Sequence, residues 1–422
     1  MRGWGYKSVI SVSIYAMAAT ACGGDDGDDA TAVTTPSTTV AVATTSAVTT
    51  AGPTTSRQPD PFVAEQVVAG DQHVCALTSD GTAYCWGYNR MGQLGDGSNT
   101  DRKVPTPVAG STKFARLAAG RYFTCGVTSA GATLCWGDNS SGQLGNGATG
   151  AGADTANKNA PVPVQGNIAL QSIVTGQNHV CGLTAAGAAY CWGSYPSGQL
   201  GNASGQDQTA PGRSAAALTL KSLALGGDNH ACGLTTADGT AWCWGNNTFG
   251  QLGDGKKSNA AQNQPSTVTG GLKFTTLALG RTHTCGLIAD GSAYCWGSNA
   301  QGQLGDGTVA ERLAPVKAAP ALKFASLTAG DSQTCGVTAD GAAHCWGNNA
   351  TGQLGSGTSG GQQTAAVAVT GGVKFASLSG GEEFTCGVAT DRTVYCWGSN
   401  RVGWLGDGTD VARTAPTKVK KP

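Results

Sequence analysis

Charge is scarce in this sequence: 12% of its residues are Asp, Glu, Lys or Arg, and 26 cations cancel 26 anions. Nucleic acids and acidic membranes usually require a basic face, so no nucleic-acid partner is expected. The apolar run Val9 to Ala21 is too short for a membrane-spanning helix. No nucleophile–histidine–acid signature stands out, and no glycine-rich phosphate loop leads from a strand into a helix. The chain therefore reads as a non-enzyme with no cofactor and no metal, although catalytic groups converging from distant segments would leave no such signature. Glycine, by contrast, is abundant. Its 66 residues are roughly twice an average share and point to short strands and tight turns.

The amino terminus carries a signal of its own. Arg2 and Lys7 precede the apolar run, and Ala19-Thr20-Ala21-Cys22 closes it. Small residues before a cysteine resemble the lipoprotein signal box, which implies a lipid on Cys22. The leucine common three residues before that cysteine is replaced by Ala19, and ordinary cleavage after Ala-Thr-Ala is the competing reading. Residues 1–21 are thus expected to be a signal peptide. Residues 22–60, rich in Gly, Asp, Thr, Ser and Ala, hold too little apolar surface for a core and read as a disordered tether.

Self-similarity decides the remainder, residues 61–422. Cys-Trp-Gly recurs seven times, with its tryptophan at 86, 136, 192, 244, 296, 346 and 397, at spacings of 50, 56, 52, 52, 50 and 51 residues. One sentence of sequence surrounds each: Gly70-Asp-Gln-His-Val-Cys75, then Asp80-Gly81, Tyr84-Cys-Trp-Gly87, Asn89 and Gly92-Gln-Leu-Gly95-Asp-Gly97. The strand formers on either side of Asp80-Gly81 predict a hairpin, with Gly81 at a left-handed turn position. This wording is similar to the regulator-of-chromosome-condensation repeat, which implies an all-β, seven-bladed β-propeller. Propellers close short sheets into a ring and so protect their edges. The terminal segments Phe62–Val67 and Pro416–Val419 look like two parts of one repeat, so one blade is expected to close by pairing of the N- and C-terminal strands.

Fourteen of the 15 cysteines fall into pairs: Cys75 with Cys85, Cys125 with Cys135, Cys181 with Cys191, Cys232 with Cys243, Cys285 with Cys295, Cys335 with Cys345, and Cys386 with Cys396. Across a hairpin these pairs suit disulfides. Zinc is the alternative, but there is no close two-residue cysteine spacing to favour it. Disulfides and a signal peptide both point to an oxidising, extracytoplasmic compartment, lipid-anchored at the cell envelope or surface, or else secreted. Cys22 is left over, as lipidation predicts.

Positions common to all repeats should serve the scaffold, among them the seven tryptophans. The aspartates of Gly-Asp-Gly resemble calcium ligands, yet Asn146, Asn202 and Ser356 replace them elsewhere, as turn chemistry allows. His73, His179, His230 and His283 share a position that holds Phe123, Gln333 and Phe384 in other repeats, which favours packing. Function is better sought where repeats differ. Residues 148–160, with Asp154 and Lys158, form a long connection, and Lys256-Lys257 open a second polar one. In the last repeat Arg392 replaces the turn glycine and Trp404 replaces the Gln of Gly-Gln-Leu-Gly, which makes them candidate interface anchors.

The expected function is therefore a non-enzymatic module at the envelope or surface, monomeric, binding a protein or in second place a glycan through loops on one propeller face. Two alternatives stand beside it. The family's namesake activity implies nucleotide exchange on a small GTPase, and close carboxylates at the ring's mouth would favour a polysaccharide-active enzyme.

Overall fold

A computed structural model describes residues 62–148, 157–215, 217–227 and 229–422. Every regular element among them is a β-strand. Twenty-eight strands form seven four-stranded sheets, and in each the strands lie side by side in chain order. The first blade consists of Gln66–Ala69, His73–Leu77, Ala83–Gly87 and Arg102–Pro107. The last consists of Phe375–Gly380, Phe384–Ala389, Val394–Gly398 and Arg413–Lys418. First strands from all the blades line a central channel of about 400 Å³.

The repeated sentence is a set of backbone instructions. Asp80 and Gly81 close the hairpin, with Gly81 at φ 79°, a region glycine enters without a Cβ clash. This turn puts Cys75 opposite Cys85, and the register recurs in every blade. The sulfurs of Cys75 and Cys85 lie at bonding distance, as do those of Cys125 and Cys135 and of Cys181 and Cys191. The same holds for Cys285 and Cys295, for Cys335 and Cys345, and for Cys386 and Cys396. Cys232 and Cys243 also meet, because their extra residue sits in the turn. All seven expected pairs thus face each other across a hairpin with their sulfurs at bonding distance, an arrangement compatible with disulfides.

Pairing with the outer strand shifts register between Cys85 and Gly87, and likewise in the other six blades. That bulge leaves Trp86 without a partner on the outer strand, although it still pairs with Val74 on the inner side. Each of the seven indoles is fully buried and reaches the corner of the preceding blade. Trp136 Nε1 donates to the Gln93 carbonyl, and Trp192 Nε1 to that of Gln143. A Cβ on Gly95 would lie 2.6 Å from the Trp136 ring, so the corner glycine is what admits the tryptophan. The Gln93 side chain folds back on its own corner, its Oε1 accepting from the Met91 amide.

Ring closure differs from the expected shared blade. The N-terminal strand pairs inside the first blade and the C-terminal strand inside the last. The two ends instead meet at the last hairpin, where Val63 bridges Thr393 and the Val419 amide donates to the Val394 carbonyl. The chain thus breaks in a connection between blades, because each repeat supplies all four of its own strands.

Candidate functional site

Strand direction sorts the turns onto two faces. His73 pairs with Gly87, and the Tyr88 amide donates to the Gln72 carbonyl. The turn before His73 and the corner after Gly87 therefore share one face. Hairpin turns such as Asp80-Gly81 occupy the other.

On the corner face, equivalent turns place Asp71, Arg121, Gln177, Gly227, Arg281, Asp331 and Glu382 around the channel mouth. Backbone bonds lace these turns together: Arg121 N to Gln177 O, Arg281 N to Asp331 O, Asp331 N to Gly381 O, and Glu382 N to Asp71 O. The acids come from three consecutive blades and the arginines flank them. Arg121 lies 3.7 Å from Asp71, and Arg281 3.3 Å from Asp331. Gln177 Nε2 reaches Asp71 at 3.5 Å, and Gln72 Nε2 donates to Glu382 at 3.1 Å. Burial pushes the Asp71 carboxyl up to about 8, and Asp331 and Glu382 push the same way against the two arginines. Sequence analysis missed this ring, since its members differ in type and only the shared repeat position links them.

The residues singled out from sequence are dispersed. Asp154 lies outside the described residues, as does Cys22. Lys158 begins an outer strand opposite Gly137, at the rim of the corner face. Lys256 and Lys257 precede the strand Ser258–Thr267, so most of the supposed polar loop is an outer strand. Lys257 pairs with Glu311 at 2.6 Å. Arg392 sits on the opposite face with φ 69° and pairs with Glu65 at 2.8 Å. Trp404 is no interface anchor: it is 2% exposed and packs against Phe384, with ring centroids 5.7 Å apart.

The four histidines are fully buried, and three of them bond to the next blade. His73 Nε2 lies 2.8 Å from Thr124 Oγ1, whose proton is committed to the Gln93 carbonyl, so the imidazole is the donor. His230 and His283 meet Thr284 and Thr334 likewise. Burial pushes His73, His179 and His230 down to about 3, and His283 to about 4. The Gly-Asp-Gly aspartates are internal too. Asp96 accepts from Asn89, the Ser98 amide and Arg102. Among the described residues, no group of three His, Cys, Asp or Glu could hold a metal ion.

Fold and site together define a seven-bladed propeller with a polar channel mouth, where three neighbouring acids are flanked by arginines. The chain belongs to the regulator of chromosome condensation (RCC1) repeat family. One model of that repeat matches residues 64–93, 114–143, 171–199, 221–251, 274–303, 324–353 and 375–403, and another matches four stretches between 80 and 337. The chain is 30% identical to the ultraviolet-B receptor UVR8 of Arabidopsis thaliana, over 84% of this chain and 70% of that protein. Its fold resembles human WBSCR16, with a TM-score of 0.70 and 22% identity over 79% of this chain and 88% of that one. It also resembles Prp20p from Saccharomyces cerevisiae, a protein studied for binding Gsp1p and histones. There the TM-score is 0.67 and the identity 22%, over 77% of this chain and 82% of that one. An RCC1-like propeller of this kind is consistent with a protein-interaction module.

Proposed function

We propose that the chain is an extracytoplasmic binding module, tethered to a membrane through Cys22, that engages a protein ligand with its corner face. The observation that carries this reading is the ring of charged and polar turns around the channel mouth on the corner face. Rigid scaffolds that present varied loops are the usual setting for recognition. Seven cystine pairs support an oxidising compartment. The test is retention of one extracytoplasmic protein by the immobilised full chain. Arg121→Glu and Lys257→Glu should abolish retention, and Arg392→Ala on the opposite face should leave it intact. Equal retention by all variants would sink the corner-face assignment. A water-soluble chain without lipid on Cys22 would sink the tether.

A second reading has one specific observation in its favour. Asp71, Asp331 and Glu382 converge at the mouth, and a carboxyl held protonated near neutral pH is what a general acid on a polysaccharide requires. Release of reducing ends from acidic or neutral polysaccharides, abolished by Asp71→Asn, would favour it over simple binding.

A further inference from the structure

The hairpin face carries a charge staple that recurs in four blades. Where one blade's turn meets the start of the next, Asp80 pairs with Lys113 at 2.7 Å and Asp340 with Lys374 at 2.6 Å. Asp238–Lys273 and Asp290–Lys323 repeat the arrangement. In the second blade both partners are absent, with Ala130 and Ala169 in their places, and so they are in the third: Ala186 stands at the aspartate position and Thr219 at that of the lysine. A hollow of about 500 Å³ opens there, reached by Arg116 from the second blade and Lys221 from the fourth. Small or neutral residues stand at the equivalent places elsewhere; Ser172, Ser222 and Thr276 are the counterparts of Arg116.

No acid lines this hollow. Among the described residues the Arg116 side chain makes no ion pair or hydrogen bond, and Lys221 Nζ has only the Phe274 carbonyl at 3.5 Å. The nearest turn acid, Asp238, is held by Lys273, Thr235 and Thr240. The equivalent hollow of the fifth blade, about 370 Å³, contains both Asp290 and Lys323 and is internally neutral. The third-blade hollow therefore holds two uncompensated cations, together with the polar side chains of Gln171, Ser172, Thr184 and Thr236.

We infer that this hollow is a binding site for an acidic saccharide. Arg116 and Lys221 take its oxyanion, a uronate carboxylate or a sulfate, and the hydroxyl and amide groups take the ring hydroxyls. A guanidinium fork suits a planar or tetrahedral oxyanion, and the surrounding donors and acceptors suit a polyol. The size matches a small-ligand site. The site lies on the face opposite the proposed protein surface and does not depend on it.

Calorimetric titration of the full chain with a short oligogalacturonate, its neutral galactose counterpart, a sulfated disaccharide and inorganic phosphate tests the assignment. Binding of the uronate or the sulfate, but not of the neutral sugar, is expected, and the tighter of the two identifies the oxyanion. Arg116→Ala and Lys221→Ala should each weaken binding about tenfold or more, the loss typical of a charged hydrogen bond. Ala186→Asp, which supplies the acid that five other turns carry without removing either cation, should abolish it. Lys323→Ala in the matched hollow should bind like the wild type. Saccharide binding unchanged by Ala186→Asp and Arg116→Ala, phosphate bound as tightly as any saccharide, or no saccharide bound at all would each overturn the proposal.

Discussion

The indole Nε1 of Trp86 donates to the carbonyl of Trp404 at 3.0 Å, across the seam where the first blade meets the last. It is the same bond that Trp136 makes to Gln93. Here, however, the acceptor's own side chain is a second buried tryptophan, which fills the seam instead of capping the corner.

Trp404→Ala should therefore lower stability by about 3–5 kcal/mol, as emptying an aromatic core site does. Trp404→Gln should cost less, because the glutamine can cap the Val402 amide as Gln93 caps Met91. Denaturant midpoints of the two variants decide this. Equal midpoints with the wild type would show that the seam does not hold the ring.

His179 is the buried imidazole without a threonine; Ala231 occupies that position in the next blade, and neither ring nitrogen has a partner. Ala231→Thr should raise stability by about 1 kcal/mol if the hydroxyl is accommodated. Thr124→Ala beside His73 should do the reverse.

Burial holds the histidines below their unfolded value, so the unfolded chain binds more protons as pH falls. The stability they support is fully present above about 6.5 and drains away toward pH 3–4. Each contributes a slope of up to about 1.4 kcal/mol per pH unit within that window. His179→Phe, which copies Phe123 and Phe384 at the same repeat position, should remove one such contribution. Unfolding curves at pH 6 and below would show a shallower decline, and an unchanged decline would contradict the burial argument.

The Asp71 carboxyl should titrate near 8 in the folded protein, well above its usual range near 3.8. Between these values the folded state binds the extra proton, so this residue's effect on stability becomes less favourable as pH rises through that window. Glu382→Gln removes one neighbouring charge and should bring the value down. Carbon-13 NMR of labelled aspartate reads both numbers.

All fourteen repeat cysteines are buried. Alkylation of the native chain should modify none of them, even in mild reductant, and full labelling should need reductant with denaturant. Removing one pair, Cys285→Ser with Cys295→Ser, should cost at most about 3 kcal/mol, and less where the blade already holds its hairpin.

Much of the fold is legible along the chain because each repeat folds by local rules. Asp-Gly sets the hairpin, the even spacing aligns Cys125 with Cys135 and Cys335 with Cys345, and small corner glycines admit a tryptophan. Closure is not legible in the same way. Pro416–Val419 and Phe62–Val67 look like adjoining parts of one repeat, and adjacency in a repeat is not pairing in a sheet. Trp404 misleads for a related reason. A large apolar residue at a turn looks exposed until the neighbouring blade that covers it is known.

Repeat period, strand content, the seven facing cysteine pairs and the packing role of the tryptophans were determined by the sequence itself: the strands and facing cysteines rest on contacts between residues close along the chain, and the tryptophans betray their role by recurring in every repeat. Only the tertiary structure decided which face a residue occupies and whether its charge is answered. Asp71 meets Glu382, and Arg116 and Lys221 come to line one hollow without an acid, because the ring brings separate blades together around an axis. Such meetings depend on the position of each residue within its repeat and on the blades beside it, and no spacing in the sequence encodes them.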